Sequence, residues 1–270
     1  MSKERLDKIL VDLGYFETRQ KAQAAIMAQD VKVNGETITK AGYQLAVDDK
    51  TIIEIKTMPY VSRGGFKLEK ALNSFNIDLT DRVCLDAGAS TGGFSDCMLQ
   101  RNARFIYSVD VGYGQFAWKL RQSDKIKVIE RTNVKNCAFE DIYAEDETVA
   151  EFCAMDLSFI SITKVLPNVI NLLGEKKELA VLIKPQFEAG KELVGKNGVV
   201  REKSTHIMVI ENVIACAGEL GLYTHNLQFS PIKGPKGNIE YLIHLKNEPG
   251  EKIIDIEKIV NEATAELKDE

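Results

Sequence analysis

Leu85-Asp86-Ala87-Gly88-Ala89-Ser90-Thr91-Gly92-Gly93-Phe94-Ser95 is the stretch on which the reading of this chain turns. An apolar run from Arg82 to Asp86 predicts a strand, and a helix is predicted from the glycine-rich turn through Met98. Glycines in such a turn let the chain bend tightly and let a ligand approach the backbone. In open α/β sheets the ligand sits at the carboxyl ends of the strands. The next strand, Phe105 to Asp110, ends on a carboxylate that can accept both ribose hydroxyls of an adenosine. The spacing is G-x-x-x-G-G rather than the G-x-G-x-x-G of dinucleotide sites. That shifts the expected ligand from a pyrophosphate-bearing cofactor to S-adenosylmethionine. The candidate cofactor contacts are Asp86, Gly88, Ala89, Ser90, Thr91, Gly92, Gly93, Phe94, Asp110, Val111 and Asn133. The plainer alternative is a structural turn beside a solvated Asp110.

Outward from this turn, strands are predicted at Ile126 to Glu130, Glu151 to Asp156 and Leu179 to Lys184. Helices are predicted from Ile162 to Leu173 and from Ser204 to Leu220. Alternating strands and helices imply a doubly wound, mostly parallel α/β sheet. Two closely spaced strands, Tyr223 to Phe229 and Ile239 to Leu245, suggest an antiparallel hairpin at one end. A tail helix carrying Ile256, Ile259, Val260, Ala263 and Leu267 on one face is expected to pack on this domain.

The first sixty residues form a different pattern. Leu6, Ile9, Leu10 and Leu13 share a helical face that Gly14 ends, and Thr18 can cap a second helix through Ile26. Two alternating runs flank Asn34-Gly35, a strong hairpin signal, and a strand follows from Thr51 to Ile55. The expected division is a small α+β domain at 1–58, a linker at 59–64 around Pro59, and the larger domain at 65–270.

Composition excludes several classes. The apolar and charged fractions, 44% and 28%, are those of a globular protein. No apolar run approaches the roughly 18 residues of a membrane span. The charged start Lys3-Glu4-Arg5 is unlike a secretory signal, so the expected location is the cytoplasm. The five cysteines are odd in number and lack C-x-x-C spacing, which disfavours zinc or a disulfide framework; no metal is expected. Residues 247–270 hold eight acidic residues and three lysines, which accounts for the whole net charge of −5. Any nucleic-acid binding must therefore come from local basic patches.

A second set of polar residues is dispersed: Lys67, Asp156, Lys184 and Glu240. Asp156 and Lys184 each end a predicted parallel strand at the ligand edge. Acid and base in one cleft can shift a lysine pKa and position a hydroxyl. Taken singly, each has a plainer role: Lys184 can snorkel, Asp156 can cap a helix, and Lys67 and Glu240 can be surface charges.

Residues 62–245 resemble the FtsJ-type ribose methyltransferases. The matching positions are Asp86-Ala87-Gly88 to Phe94 and the tetrad Lys67, Asp156, Lys184, Glu240. Residues 3–56 resemble the S4 RNA-binding domain through Arg5-Leu6-Asp7-Lys8, Gly14, Arg19, Ala22 and Val31 to Gly35. Thr18-Arg19 stands where that pattern usually has Ser-Arg. The two in this order resemble the TlyA family. Tyr60 to Leu68, Ser230 to Gly234 and Gly237 to Tyr241 agree as well. The resemblance implies 2′-O-methylation of cytidine in small- or large-subunit ribosomal RNA with S-adenosylmethionine. It places the tetrad at the chemistry, Lys184 on the hydroxyl and Asp156 beside it. Arg5, Lys8, Arg19, Lys21, Lys32 and Arg63 are the candidate RNA contacts. Family members are also often labelled hemolysins.

Rival RNA chemistries lack their marks. Base amino-group methylation usually brings a Pro-Pro-aromatic segment, absent here. Cytosine C5 methylation needs a cysteine after proline or threonine, also absent. The Gly-Arg-Leu-Asp segment of pseudouridine synthases is missing. Two alternatives outside catalysis are an rRNA-binding assembly factor and a membrane-lysing hemolysin.

Overall fold

A computed structural model describes residues 3–267 except positions 17, 49, 57, 251 and 252. The chain divides into two compact units, residues 1–59 and 60–270.

The first unit runs β1 (Glu4–Arg5), α1 (Leu6–Asp12), α2 (Arg19–Met27), β2 (Val31–Val33), β3 (Glu36–Thr37), β4 (Gln44–Leu45) and β5 (Ile53–Ile55). Leu6, Leu10, Ala22, Ile26, Val31 and Val33 form its core. Thr18 caps α2, its hydroxyl accepting from Lys21 N–H at 3.3 Å. Asn34 and Gly35 have φ of 51° and 83°, the paired left-handed residues of a tight hairpin turn. The sheet order is β3-β2-β5, and β1 pairs separately with β4. That second pairing was not legible, because two-residue strands carry no alternation. It places Arg5 on β1, directly before α1.

The second unit runs α3 (Gly64–Phe75), β6 (Val83–Ala87), α4 (Gly93–Gln100), β7 (Phe105–Val109), α5 (Trp118–Arg121), β8 (Ile126–Ile129), β9 (Phe152–Met155), α6 (Leu166–Asn171), β10 (Glu178–Ile183), α7 (Pro185–Glu188), α8 (Lys203–Glu219), β11 (Tyr223–Phe229), β12 (Tyr241–Lys246) and α9 (Ile256–Glu266). Its seven strands lie in the order β11-β12-β10-β9-β6-β7-β8. β12 is antiparallel to both neighbours, while β10, β9, β6, β7 and β8 are mutually parallel. Alternate residues of these strands feed two apolar cores. Leu85, Val109, Met155 and Val181 face the α6, α8 and α9 side, and Cys84, Ile106, Ala154 and Leu182 face α3 and α4. That two-sided burial is why the central strands read as continuous apolar runs.

Two expectations need correction. The helix predicted from Ile162 to Leu173 is a 3₁₀ turn, Ile162–Lys164, followed by α6. Pro167 has no N–H to continue a helix through and sits in the first turn of a new one. The linker predicted at 59–64 is packed structure from Tyr60 onward. Tyr60 is 5% exposed, and Val61 N–H donates to Asp96 Oδ2 at 2.8 Å. A Cβ on Gly65 would collide with the Tyr60 ring, so the Gly64-Gly65 pair serves close packing rather than a hinge. Among the described residues no helix is long and apolar enough to cross a membrane.

Candidate active site

The strand order reverses at β6, whose neighbours are β7 on one side and β9 on the other. A crevice at such a reversal is where open α/β sheets bind ligands. The turn after β6 is shaped for it. Gly88 has φ of 92°, and a Cβ there would lie 2.5 Å from the Asp156 carbonyl oxygen. Only glycine lets the β6 and β9 ends approach this closely. Ser90, a non-glycine residue, is held at φ of 49°, and its N–H donates to Asp110 Oδ2 at 2.8 Å. Gly112 N–H donates to Asp110 Oδ1 at 2.6 Å. The Asp110 carboxylate is thus fixed in place with an acceptor lone pair still available on each oxygen.

Two cavities open beside this turn. One, of about 550 Å³, is lined by Asp110, Val111, Asn133, Val134, Leu157 and Ile160 among others. The other, of about 540 Å³, takes in Thr91, Gly93 and Phe94 together with Arg63, Lys67, Lys184, Lys233 and Lys236. Gly88, Ser90, Asp156 and Ser158 line both. The first pairs a fixed carboxylate with an apolar slot. The second is lined by five basic side chains and one carboxylate, Asp156.

The four dispersed residues meet as two ion pairs. Lys184 Nζ lies 2.5 Å from Asp156 Oδ1 and donates to Ser158 Oγ at 2.9 Å. Lys67 Nζ donates to Glu240 Oε2 at 2.6 Å. The Lys184 and Lys67 side chains are each 9% exposed and Glu240 is fully buried. Glu240 lines neither cavity; it stands behind Lys67. Gly234 lies against it so closely that a Cβ would fall on the carboxylate.

Asp86 stands apart from the other cofactor candidates. Its side chain is wholly buried, lines neither cavity, and accepts from Ser95 Oγ at 2.5 Å. Ser95 Oγ lies 2.7 Å from Ser108 Oγ. Asp86 Oδ1 has no hydrogen-bond partner among the described residues. Burial pushes the carboxyl up to about 7, against the pull of the Ser95 bond, with Asp156 and Asp110 adding to the rise. This side chain ties β6 to α4 and β7 from beneath the turn. Gly92, at φ of 93°, likewise lines neither cavity; a Cβ there would press on Leu120 and Phe116.

In the first unit, Asp7 is fully buried and gathers three donors. Arg5 reaches both its oxygens at 3.0 and 2.9 Å, Arg19 donates to Oδ2 at 3.0 Å, and Gln23 at 2.6 Å. The Arg5 and Arg19 side chains remain about half exposed. Lys8 pairs with Glu4 at 2.7 Å. Lys32 stands exposed on β2. The sequence reading missed the acid that organises the arginines, as well as Ser158, Lys233 and Lys236 at the lysine-lined cavity. Ser158 follows Asp156 by two residues, and Lys233 lies inside the Ser230 to Gly234 stretch already singled out, so both had a signal.

Comparison with known proteins follows the same division. A model of the FtsJ-like methyltransferase family matches residues 60–247, and the S4 domain model matches residues 4–50. The Bacillus subtilis protein YqxC is 43% identical over 99% of this chain and 96% of its own length. A Mycobacterium tuberculosis protein named 16S/23S rRNA (cytidine-2'-O)-methyltransferase TlyA is 39% identical over 90% of each chain. A solved chain from Streptococcus thermophilus, whose name carries the word hemolysin, is 43% identical with a TM-score of 0.76, covering 99% of this chain and 98% of that one. Both parts in the same order, across nearly the whole length of relatives that carry the TlyA name, make this chain a member of the TlyA family, an S4 domain joined to an FtsJ-like methyltransferase.

Proposed function

We propose that this protein transfers a methyl group from S-adenosylmethionine to the ribose 2′-hydroxyl of a cytidine in 16S or 23S ribosomal RNA, acting in the cytoplasm. One observation carries the reading. Two cavities of different chemistry share a wall at Gly88, Ser90, Asp156 and Ser158, and the Lys184–Asp156 pair stands at that wall.

The cavity beside Asp110 fits the cofactor. Its carboxylate is pre-positioned to accept ribose hydroxyls, and Val111, Val134, Leu157 and Ile160 offer an apolar slot for an adenine. When bound there, S-adenosylmethionine supplies an electrophilic methyl with a good leaving group. The chain's own residues do the rest. The lysine-lined cavity takes the anionic RNA strand. Ser158 and Asp156 hold the Lys184 ammonium, which orients the 2′-oxygen towards the shared wall. Lys184 passes one proton to Asp156 and, as the free amine, accepts the hydroxyl proton as the O–C bond forms. Positioning of this kind supplies up to roughly 7–11 kcal/mol, and proton removal about 10²–10⁴-fold more. Lys67, backed by Glu240, completes the floor. The first unit binds folded rRNA through the Arg5 and Arg19 guanidinium groups that Asp7 sets side by side.

The test is to map ribose methylation on both rRNAs from cells with and without the protein. One or more cytidines losing the 2′-O-methyl mark in its absence is the expected result. Identical maps would overturn the reading.

A further inference from the structure

Two loops of the second unit meet beside the lysine-lined cavity, and one buried side chain stitches them together. The first joins α7 to α8 (residues 189–202); the second is the β11–β12 connection (residues 230–240). Asn238 is 2% exposed. Its Nδ2 donates to Gly198 O at 2.8 Å and Pro235 O at 3.2 Å, and its Oδ1 accepts from Val200 N at 3.1 Å. Its backbone oxygen accepts from Gly234 N at 2.8 Å. Every polar group of the side chain is therefore used to close one loop and bind it to the other. His206 reinforces the join, hydrogen-bonding Val200 O at 3.0 Å and the Tyr241 hydroxyl at 2.9 Å. The backbone bends to match: Asn197 and Lys236, neither of them glycine, have φ of 70° and 60°. Such conformations persist only where surrounding contacts enforce them.

The stitched loops present positive charge. Lys196, Arg201 and Lys236 are exposed, and none has an ion pair among the described residues. Lys233 and Lys236 continue into the lysine-lined cavity. Across both loops the acids are Glu192, Glu202 and Glu240, and Glu240 is buried on Lys67. The chain as a whole carries a net charge of −5. Lys196, Arg201 and Lys236, gathered at one edge of an otherwise balanced surface and without an acidic partner among the described residues, fit an anionic ligand.

We propose that these loops form a lip that grips the backbone phosphates of the RNA strand entering the cavity, with Lys196, Arg201 and Lys236 as contacts and Asn238 as the residue that positions them. The proposal rests on the ribose-methylation reading. Phosphate contacts set register and affinity rather than base choice, so the lip governs how tightly the strand is held while Lys184 governs the chemistry.

The experiment measures methyl transfer to isolated ribosomal subunits, and binding to the same subunits across a salt series. The variants are the double substitution Lys196→Ala with Lys236→Ala, Asn238→Ala, and Lys258→Ala on α9 as a control for general charge loss. The double variant should raise KM about tenfold, with kcat and S-adenosylmethionine affinity moving less than twofold. It should also lower the salt slope of binding by about two, roughly one per cation removed. Asn238→Ala removes no charge yet should raise KM in the same way, with the fold checked by its thermal transition. Lys258→Ala should match the parent. An unchanged KM and salt slope in the double variant overturns the lip, as does the same shift from Lys258→Ala. If the parent itself transfers no methyl, the ribose-methylation reading fails, and the binding series alone then decides the lip.

Discussion

Lys184 Nζ lies 2.5 Å from Asp156 Oδ1, and the two residues cap the neighbouring parallel strands β10 and β9. A carboxylate and an ammonium at the ends of paired strands are held by the sheet itself. Arginine at 184 would keep the charge but cannot release a proton at working pH. Lys184→Arg is therefore expected to lose methyl transfer almost as fully as Lys184→Ala, by about 10²-fold or more in kcat. Cofactor affinity should change less than twofold by calorimetry. Substantial activity in the arginine variant would reduce the lysine to a fixed charge.

Gly88→Ala tests the close approach of β6 and β9. The added Cβ would sit 2.5 Å from the Asp156 carbonyl oxygen at a φ of 92°. Left-handed strain alone costs about 1–2 kcal/mol, and the clash displaces the Asp156 backbone as well. A lower thermal transition together with a loss of activity exceeding tenfold is expected. A fully active variant would show that the juxtaposition is dispensable.

Asp110→Ala removes the fixed carboxylate of the proposed cofactor cavity. Hydrogen bonds to a charged group are worth about 1.5–3 kcal/mol each, so S-adenosylmethionine should bind at least tenfold more weakly. The Ser90 N–H also loses its acceptor, and the turn should become more protease-sensitive. Equal affinity in parent and variant would remove Asp110 from the site.

Asp86 gives a pH dependence with a defined sign. Its carboxyl is raised to about 7 in the folded chain, against about 4 for a free aspartate. The folded state thus holds the proton more tightly. This contribution to stability is complete below pH 4, is lost as pH rises to 7, and then levels off, for about 4 kcal/mol at most. Asp86→Asn should flatten the fall of the thermal transition between pH 4 and pH 7. A parallel fall in both proteins would place the pH sensitivity elsewhere.

Asp7 lets the first unit be tested without deleting it. Bonds from Arg5 hold its carboxyl well below the usual range despite burial, with Gln23 and Arg19 adding to the effect. Arg19→Lys keeps the charge but loses the planar fork that reaches Asp7. Affinity for ribosomal subunits should fall several-fold while cofactor binding stays unchanged. Unchanged subunit affinity would show that the Arg5–Arg19 arrangement serves only the fold.

Much of this was legible from local pattern. The Asn34-Gly35 hairpin, the Thr18 cap and the doubly wound sheet each follow from a few adjacent residues whose conformational preferences agree. The turn after β6 was legible for the same reason, since glycines following a strand end are a local signature. Partnership across the chain was not. Lys67 and Glu240 are 173 residues apart, and by composition each reads as a surface charge; only the fold buries them together. Asp86 misleads in the opposite way. It sits within the glycine motif, yet alternation along β6 turns its side chain under the sheet and away from both cavities. Residues 59–64 were read as a linker because Pro59 can mark one; from Tyr60 onward they pack instead, and Gly65 admits the Tyr60 ring.

The reversed direction of β12 has a broader consequence. In a fully parallel sheet, every connection leading into a strand lies on the edge away from the ligand. Because β12 runs backwards, the connection feeding it arrives on the ligand edge and brings Lys233, Lys236 and Glu240 with it. That connection is thus carried by the strand pair at one end of the sheet, apart from the turns after β6 and β7 that line the cavity beside Asp110. On the proposed function, substitutions that retune how tightly the RNA strand is held can accumulate in the hairpin while the cavity beside Asp110 stays untouched. A single strand inversion thus leaves the grip on the strand and the cavity beside Asp110 separable in the course of evolution.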